Sequence, residues 1–121
     1  MKILIADDSL LVRERIRELI TNNENLEIVA ETDNGLDALR LVTETDPDVV
    51  ILDIRMPVKN GIEVLIELKR RGCRAKICML TNYPYKQYRE RCKAEGADYF
   101  FDKNTDIQKF LDLLDGFGKQ K

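Results

Sequence analysis

Four consecutive aliphatic residues, Val49-Val50-Ile51-Leu52, run directly into a single carboxylate, Asp53, and this stretch restricts the fold more than any other. An unbroken run of this kind reads as a strand covered on both faces, which is the habit of a parallel sheet. Asp53 then stands at the carboxyl end of that strand, where open parallel α/β sheets place their ligands and their chemistry. Taken alone, such a carboxylate also serves as a strand cap or helps turn the chain toward Pro57.

A second stretch of the same design opens the chain. Lys2-Ile3-Leu4-Ile5-Ala6 ends in two adjacent carboxylates, Asp7 and Asp8. If both strands lie side by side, three carboxylates converge on one sheet edge and repel one another unless something neutralises them. A protonated carboxyl, a nearby lysine and a hard cation held by oxygen ligands are the three ways to do so.

The rest of the chain repeats the strand and helix alternation. Ser9 or Asp8 caps a helix with Val12, Ile16, Leu19 and Ile20 on one face. A second strand is predicted over residues 26–30. Asn34 then caps a helix whose inward positions are Leu36, Leu39 and Val42. After the central strand, Asn60 and Glu63 make a capping box for a helix burying Ile62, Leu65 and Leu68, which Gly72 ends. The fourth strand, 75–80, terminates at Thr81. Pro84 suits the first turn of the fourth helix, where Tyr85, Tyr88 and Cys92 recur at packing spacing and Gly96 stops it. The short strand 99–101 ends near Lys103. Thr105 with Gln108 caps the last helix, which buries Ile107, Phe110, Leu111 and Leu114. Leu113 and Phe117 widen its apolar stripe, either as a broader core contact or as a dimer or partner surface. Five βα units in succession predict a doubly wound five-stranded parallel sheet with helices on both faces.

Composition removes several kinds of chemistry. The 121 residues are read as one domain, 1–121, with no second domain, no leader and a cytoplasmic setting. A net charge of −2, with acids and bases mixed, gives no nucleic-acid surface, and no apolar run approaches the ~20 residues of a membrane span. The absence of histidine removes the usual general base and the serine triad. Three cysteines without histidine argue against zinc, and Cys78 and Cys92 read as small buried hydrophobes.

Every strand but the second thus ends in a reactive group: Asp7 with Asp8, Asp53, Thr81 and Lys103. The set suits phosphoryl transfer, which needs mainly positioning and charge stabilisation from a protein. The carboxylates would hold one Mg²⁺, Asp53 would attack as nucleophile to give an aspartyl phosphate, and Lys103 with the Thr81 hydroxyl would meet the phosphoryl oxygens.

On these residues the chain resembles the receiver domain of bacterial response regulators over essentially its full length. The motifs are Ile5-Ala6-Asp7-Asp8-Ser9, Leu52-Asp53-Ile54-Arg55-Met56-Pro57 with Gly61 beyond, Leu80-Thr81-Asn82, and Gly96-Ala97-Asp98-Tyr99-Phe100-Phe101-Asp102-Lys103. The resemblance implies a flavodoxin-like (βα)5 fold of strand order 2-1-3-4-5, the order of chemotaxis receivers. It implies Asp53 as phosphoacceptor. Asp8, Asp53 and the main-chain carbonyl of Arg55 would bind Mg²⁺, or Mn²⁺ in its place, with Asp7 acting through water. Thr81 and Phe100 match a switch pair that remodels the face made by the fourth helix, fifth strand and fifth helix for a downstream protein or a homodimer. The implied donor is a sensor histidine kinase or phosphotransfer protein docking on the first helix and the loop around Lys103. Such a protein catalyses only its own phosphorylation and dephosphorylation.

Three features depart from the common pattern. Asn82 replaces a smaller residue, Asn104 replaces a proline, and bulky Arg55 and Tyr83 stand two residues beyond Asp53 and Thr81, where they would shield an acyl phosphate from water. The end of the chain soon after Gly116 favours a stand-alone receiver. A receiver excised from a DNA-binding regulator is an alternative. A phosphatase-like enzyme is disfavoured because Arg55 occupies the place of a general acid.

Overall fold

A computed structural model, which describes residues 1–119, has the elements β1 (Lys2–Ala6), α1 (Leu10–Thr21), β2 (Glu27–Thr32), α2 (Gly35–Thr45), β3 (Val49–Leu52), α3 (Gly61–Arg70), β4 (Lys76–Thr81), α4 (Lys86–Ala94), β5 (Tyr99–Asp102) and α5 (Ile107–Gly118). The strands form one parallel sheet in the order β2-β1-β3-β4-β5, as the resemblance implied.

The period of two along each strand divides the core. Leu4, Ala6, Val50, Leu52, Ile77 and Met79 pack on one face against Ala38, Leu39 and Val42 of α2, Val64, Leu65 and Leu68 of α3, and Cys92 of α4. Ile3, Ile5, Val49, Ile51, Cys78 and Leu80 pack on the other against Ile16 and Ile20 of α1 and Phe110, Leu114 and Phe117 of α5. Because Phe117 is buried in this second layer and Leu113 packs beside it, the wide stripe of the last helix serves the core.

Helix starts follow the sequence in three cases. Ser9 accepts from the Val12 N–H and Asn34 from the Asp37 N–H, while Asn60 and Glu63 form the reciprocal capping box.

Elsewhere the structure corrects the reading. Strand β2 covers Glu27–Thr32 rather than 26–30, because a register shift opposite Ile3 and Leu4 carries its pairing on to Thr32. Leu36 is exposed, and Ala38 takes the inward place beside Leu39. Pro84 lies outside α4. The Tyr83 N–H is taken by the Thr81 hydroxyl oxygen at 2.9 Å, which commits the chain to a turn, and the helix begins only after Tyr85. Tyr85 is exposed, whereas Tyr88 is half-buried against the core and Cys92 is fully buried, so two of the three residues spaced for packing do pack.

The Thr105 and Gln108 capping box does not form. Helix α5 starts after Asp106, whose carboxylate turns back to accept from the Asp102 N–H at 3.0 Å, and Gln108 donates to Asp112 instead.

Candidate functional site

Sheet register gathers the reactive groups. Ala6 pairs with Leu52, so Asp7 and Asp53 leave neighbouring strands at one height, and the Asp53 N–H donates to the Ala6 carbonyl at 2.9 Å. Thr81 pairs with Asp102 on the edge strand, so Lys103 emerges one residue further on. Its long side chain reaches back over the centre of the sheet. The Lys103 Nζ lies 2.8 Å from Asp7 Oδ2 and 3.1 Å from Asp53 Oδ2, with its side chain only 5% exposed.

Asp7 and Thr81 are 0% exposed and Asp53 is 4% exposed, whereas Asp8 faces solvent. One oxygen from each of Asp7, Asp8 and Asp53 lies within 4.8 Å of the others. Three carboxylates therefore face one ammonium. Burial first, then the charge of Asp7, pushes the Asp53 carboxyl up to about 7 against the opposing pull of Lys103. Asp7 is raised as well, mainly by burial. Burial draws the Lys103 ammonium down, but its bonds to Asp7 and Asp53 outweigh that and hold it above its ordinary value.

Two buried oxygens remain without a hydrogen bond: Asp53 Oδ1, and Asp7 Oδ2, whose approach to the Lys103 ammonium is ionic but not aligned. A buried, unpartnered carboxylate oxygen is costly, and it fits a hard cation that takes oxygen ligands.

The surrounding loops fix these side chains. Gly61 opens α3 directly on the Asp53 main chain: its N–H donates to the Ile54 carbonyl at 2.7 Å, and a Cβ there would collide with the Asp53 carbonyl oxygen. Val58 has a φ of 71°, with the Lys59 N–H donating to the Pro57 carbonyl across it at 2.9 Å, a strained γ-turn. That Pro57 carbonyl also receives the Gly35 N–H at 3.4 Å, tying the loop to α2. After Lys103, the Asn104 N–H donates to Asp102 Oδ1 at 2.8 Å, a bond that a proline at this position does not make.

The remaining sequence candidates form a rim. The Arg55 guanidinium is exposed and lies 3.7 Å over the Tyr83 ring. Phe100 is half-buried beneath the Arg89 guanidinium, 4.5 Å from its ring centre. Asn82 is exposed and lines, with Ser9, Leu11 and Lys103, a cleft of about 230 Å³. A larger cleft of about 550 Å³, between α2 and α3 beside Cys73, is at the opposite end of the sheet, away from every one of these groups. The Gly61 contact and the Arg55 stack were the features hardest to foresee. A glycine at a helix start gives only a faint sequence signal, and a stack between separate loops gives none.

Chemically, the pocket offers a carboxylate oxygen at the surface of a rigid sheet, a fixed ammonium beside it and room for a hard cation. The profile of the response regulator receiver domain matches residues 3–115. The chain is 35% identical over 113 residues to the chemotaxis protein CheY of Halobacterium salinarum, covering 93% of this chain and 92% of that one. It is 34% identical over 110 residues to the putative positive transcription regulator BvgA of Bordetella pertussis, covering 91% of this chain but 52% of that one. The chain thus spans about half the length of several curated relatives that it matches. Among solved structures, a LuxR-family DNA-binding response regulator from Staphylococcus aureus superposes with a TM-score of 0.86 at 33% identity, with 98% of each chain covered. On fold, site and sequence together, the chain belongs to the response regulator receiver domains, the signalling modules of two-component systems.

Proposed function

We propose that this receiver takes a phosphoryl group from a phosphohistidine donor onto Asp53. The observation that carries the reading is the buried Lys103 ammonium held between Asp7 and Asp53. In the transfer, an Asp53 carboxylate oxygen forms a bond to phosphorus as the bond from phosphorus to the donor imidazole nitrogen breaks, and the electron pair leaves with the imidazole. Lys103 neutralises charge on the phosphoryl oxygens, and the Thr81 hydroxyl donates to one of them. Asp7, Asp8, Asp53 and the Arg55 main-chain carbonyl would hold Mg²⁺, with Mn²⁺ as substitute, consistent with the oxygen cluster and the unpartnered Asp53 Oδ1. When bound, the cation supplies charge neutralisation for the carboxylates and for the incoming phosphoryl oxygens.

Thr81 and Phe100 act as the switch pair. In the present state the Thr81 oxygen accepts from the Tyr83 N–H, and movement toward a phosphoryl group breaks that bond. The half-buried Phe100 ring turns inward in response, and the face of α4, β5 and α5 changes shape for a downstream protein or a second copy. Arg55 and Tyr83, which meet at the rim of the unmodified site, are bulky enough with Asn82 beside them to limit the access of water to the acyl phosphate.

The reading is tested by incubating the protein with Mg²⁺ and acetyl phosphate or phosphoramidate and measuring intact mass. Wild type gains one phosphoryl group and Asp53→Asn gains none; uptake by the variant, or none by wild type, defeats the assignment. Output has two readings. The near-complete overlap with the halobacterial CheY supports a receiver that acts alone, and the half-length overlap with BvgA supports the receiver portion of a transcription regulator.

A further inference from the structure

The β4–α4 connection carries three tyrosines whose arrangement the switch pair does not explain. The ring centres of Tyr83 and Tyr85 are 6.1 Å apart and those of Tyr85 and Tyr88 are 5.5 Å apart, so the three form one continuous aromatic surface from the loop into the first turn of α4. The Arg55 guanidinium, projecting from the loop after β3, lies 3.7 Å over the first ring. The cation thus covers the loop end of the tyrosine row, next to the uncapped start of α4.

Helix α4 depends on this contact more than other helices would. It has nine residues, no side-chain N-cap and one buried residue, Cys92, which lies in its last turn. Its start lacks the capping bond that Ser9, Asn34 and Asn60 give to α1, α2 and α3. The aromatic row and the guanidinium lie at that uncapped start, while Cys92 anchors the other end in the core.

We propose that Arg55 is a second relay from the site to α4: it clasps the tyrosine row while Asp53 is unmodified and leaves it for the phosphoryl group once Asp53 is phosphorylated, loosening the first turn of the helix. This inference rests on the phosphoacceptor role of Asp53. Only Ile54 separates Arg55 from Asp53, so a phosphoryl dianion arises within reach of a flexible cation. An exposed cation–π contact is weaker than charge-assisted hydrogen bonds from a guanidinium to phosphate. The guanidinium accordingly changes partner when the dianion appears. The route is separate from that of Thr81, which meets Tyr83 through its main-chain N–H rather than its ring.

The test uses ¹⁵N-labelled protein with Mg²⁺ and acetyl phosphate, with intact mass to score phosphorylation. In wild type the Arg55 Nε–Hε signal starts ring-shifted and loses that shift as phosphorylation proceeds. Amide exchange in residues 86–90 rises at least about fivefold on phosphorylation, the lower end of ordinary coupling between sites. Unphosphorylated Arg55→Ala already exchanges there at the faster rate and gains little more, while Arg55→Lys, which keeps a cation, stays closer to wild type. A phosphorylated wild type whose Arg55 signal does not move, or an Arg55→Ala protein with wild-type exchange in α4, overturns the relay and leaves the phosphoacceptor reading intact. A wild type that takes up no phosphoryl group overturns both.

Discussion

The main-chain N–H of Lys103 donates to the carbonyl of Thr81 at 2.8 Å. This bond joins the two residues on the β5 side of the pocket into one rigid piece. The position of the ammonium between Asp7 and Asp53 is therefore set by sheet geometry as well as by its own ion pairs. A side chain of this length loses considerable rotamer entropy on burial, and the β4–β5 pairing pre-places its root.

Replacing that ammonium separates its two roles. Lys103→Ala leaves two buried carboxylates facing each other with no cation, and removing one partner from a buried ionic group costs about 3 kcal/mol. Urea unfolding at neutral pH in the presence of chelator should show a loss of that order, and acetyl phosphate labelling should fall by roughly a hundredfold, as expected for loss of an electrostatic stabiliser. Equal stability of the two proteins would mean that Lys103 does not neutralise the pair.

Asp53 predicts an unusual pH profile in metal-free protein. Its carboxyl is raised from 3.8 to about 7 in the folded state, so the native protein holds a proton that the unfolded chain has already lost. Its contribution to stability is full below about pH 4 and is lost as pH rises toward and through 7. Wild type in chelator should therefore lose stability relative to Asp53→Asn between about pH 4 and 7. Glu67 acts in a separate window. Hydrogen bonds from Arg70 and Arg71 hold it down to about 2, so its contribution is present above pH 4.5 and is lost as pH falls from there through 2. A pH-independent difference between wild type and Asp53→Asn would refute the buried-carboxyl assignment.

Asp8 should separate metal binding from folding. It is exposed, so Asp8→Asn in chelator should unfold within about 0.5 kcal/mol of wild type. Its carboxylate nevertheless belongs to the oxygen cluster. Mg²⁺ should raise the unfolding midpoint of wild type by mass action and that of the variant much less, at concentrations that saturate wild type. The same Mg²⁺ response in both proteins would remove Asp8 from the ligand set.

Gly61 is predicted to be intolerant of even one methyl group. A Cβ there meets the Asp53 carbonyl oxygen, part of a buried strand end that cannot retreat, so Gly61→Ala should cost about 2 kcal/mol and slow phosphorylation by shifting Asp53. Thermal or urea unfolding measures the first effect and labelling kinetics the second. A stabilised variant would show that α3 has room to move.

The rim predicts the lifetime of the phosphoform. If the bulk of the Arg55 and Tyr83 side chains at the rim holds water away, Arg55→Ala and Tyr83→Ala should each hydrolyse the acyl phosphate several times faster than wild type, by roughly 1 kcal/mol of barrier or less. Decay of the phosphorylated mass after removal of acetyl phosphate measures it. Unchanged rates in both would reject shielding.

The strands, the division of the core and the grouping of Asp7, Asp53, Thr81 and Lys103 were all readable along the chain. Unbroken apolar runs, a helical period near four and a polar residue closing most of those runs are local properties, and the chirality of parallel crossovers leaves few ways to assemble them. Even the reciprocal capping box of α3 follows from Asn60 and Glu63 standing three residues apart.

Other features depend on distances between loops that the chain order does not encode. Asp7 and Asp8 are adjacent carboxylates, yet one is sealed beneath Lys103 and the other faces water, because successive residues leaving a strand point in opposite directions and only the packed neighbours decide which side is covered. The stack of Arg55 on Tyr83 has the same origin, since it joins two loops that only the packed sheet brings together. The late start of α4 and the failed cap at Thr105 were decided more locally, where side-chain bonds two and four residues away, Thr81 to the Tyr83 N–H and Asp106 to the Asp102 N–H, competed with the expected helix starts.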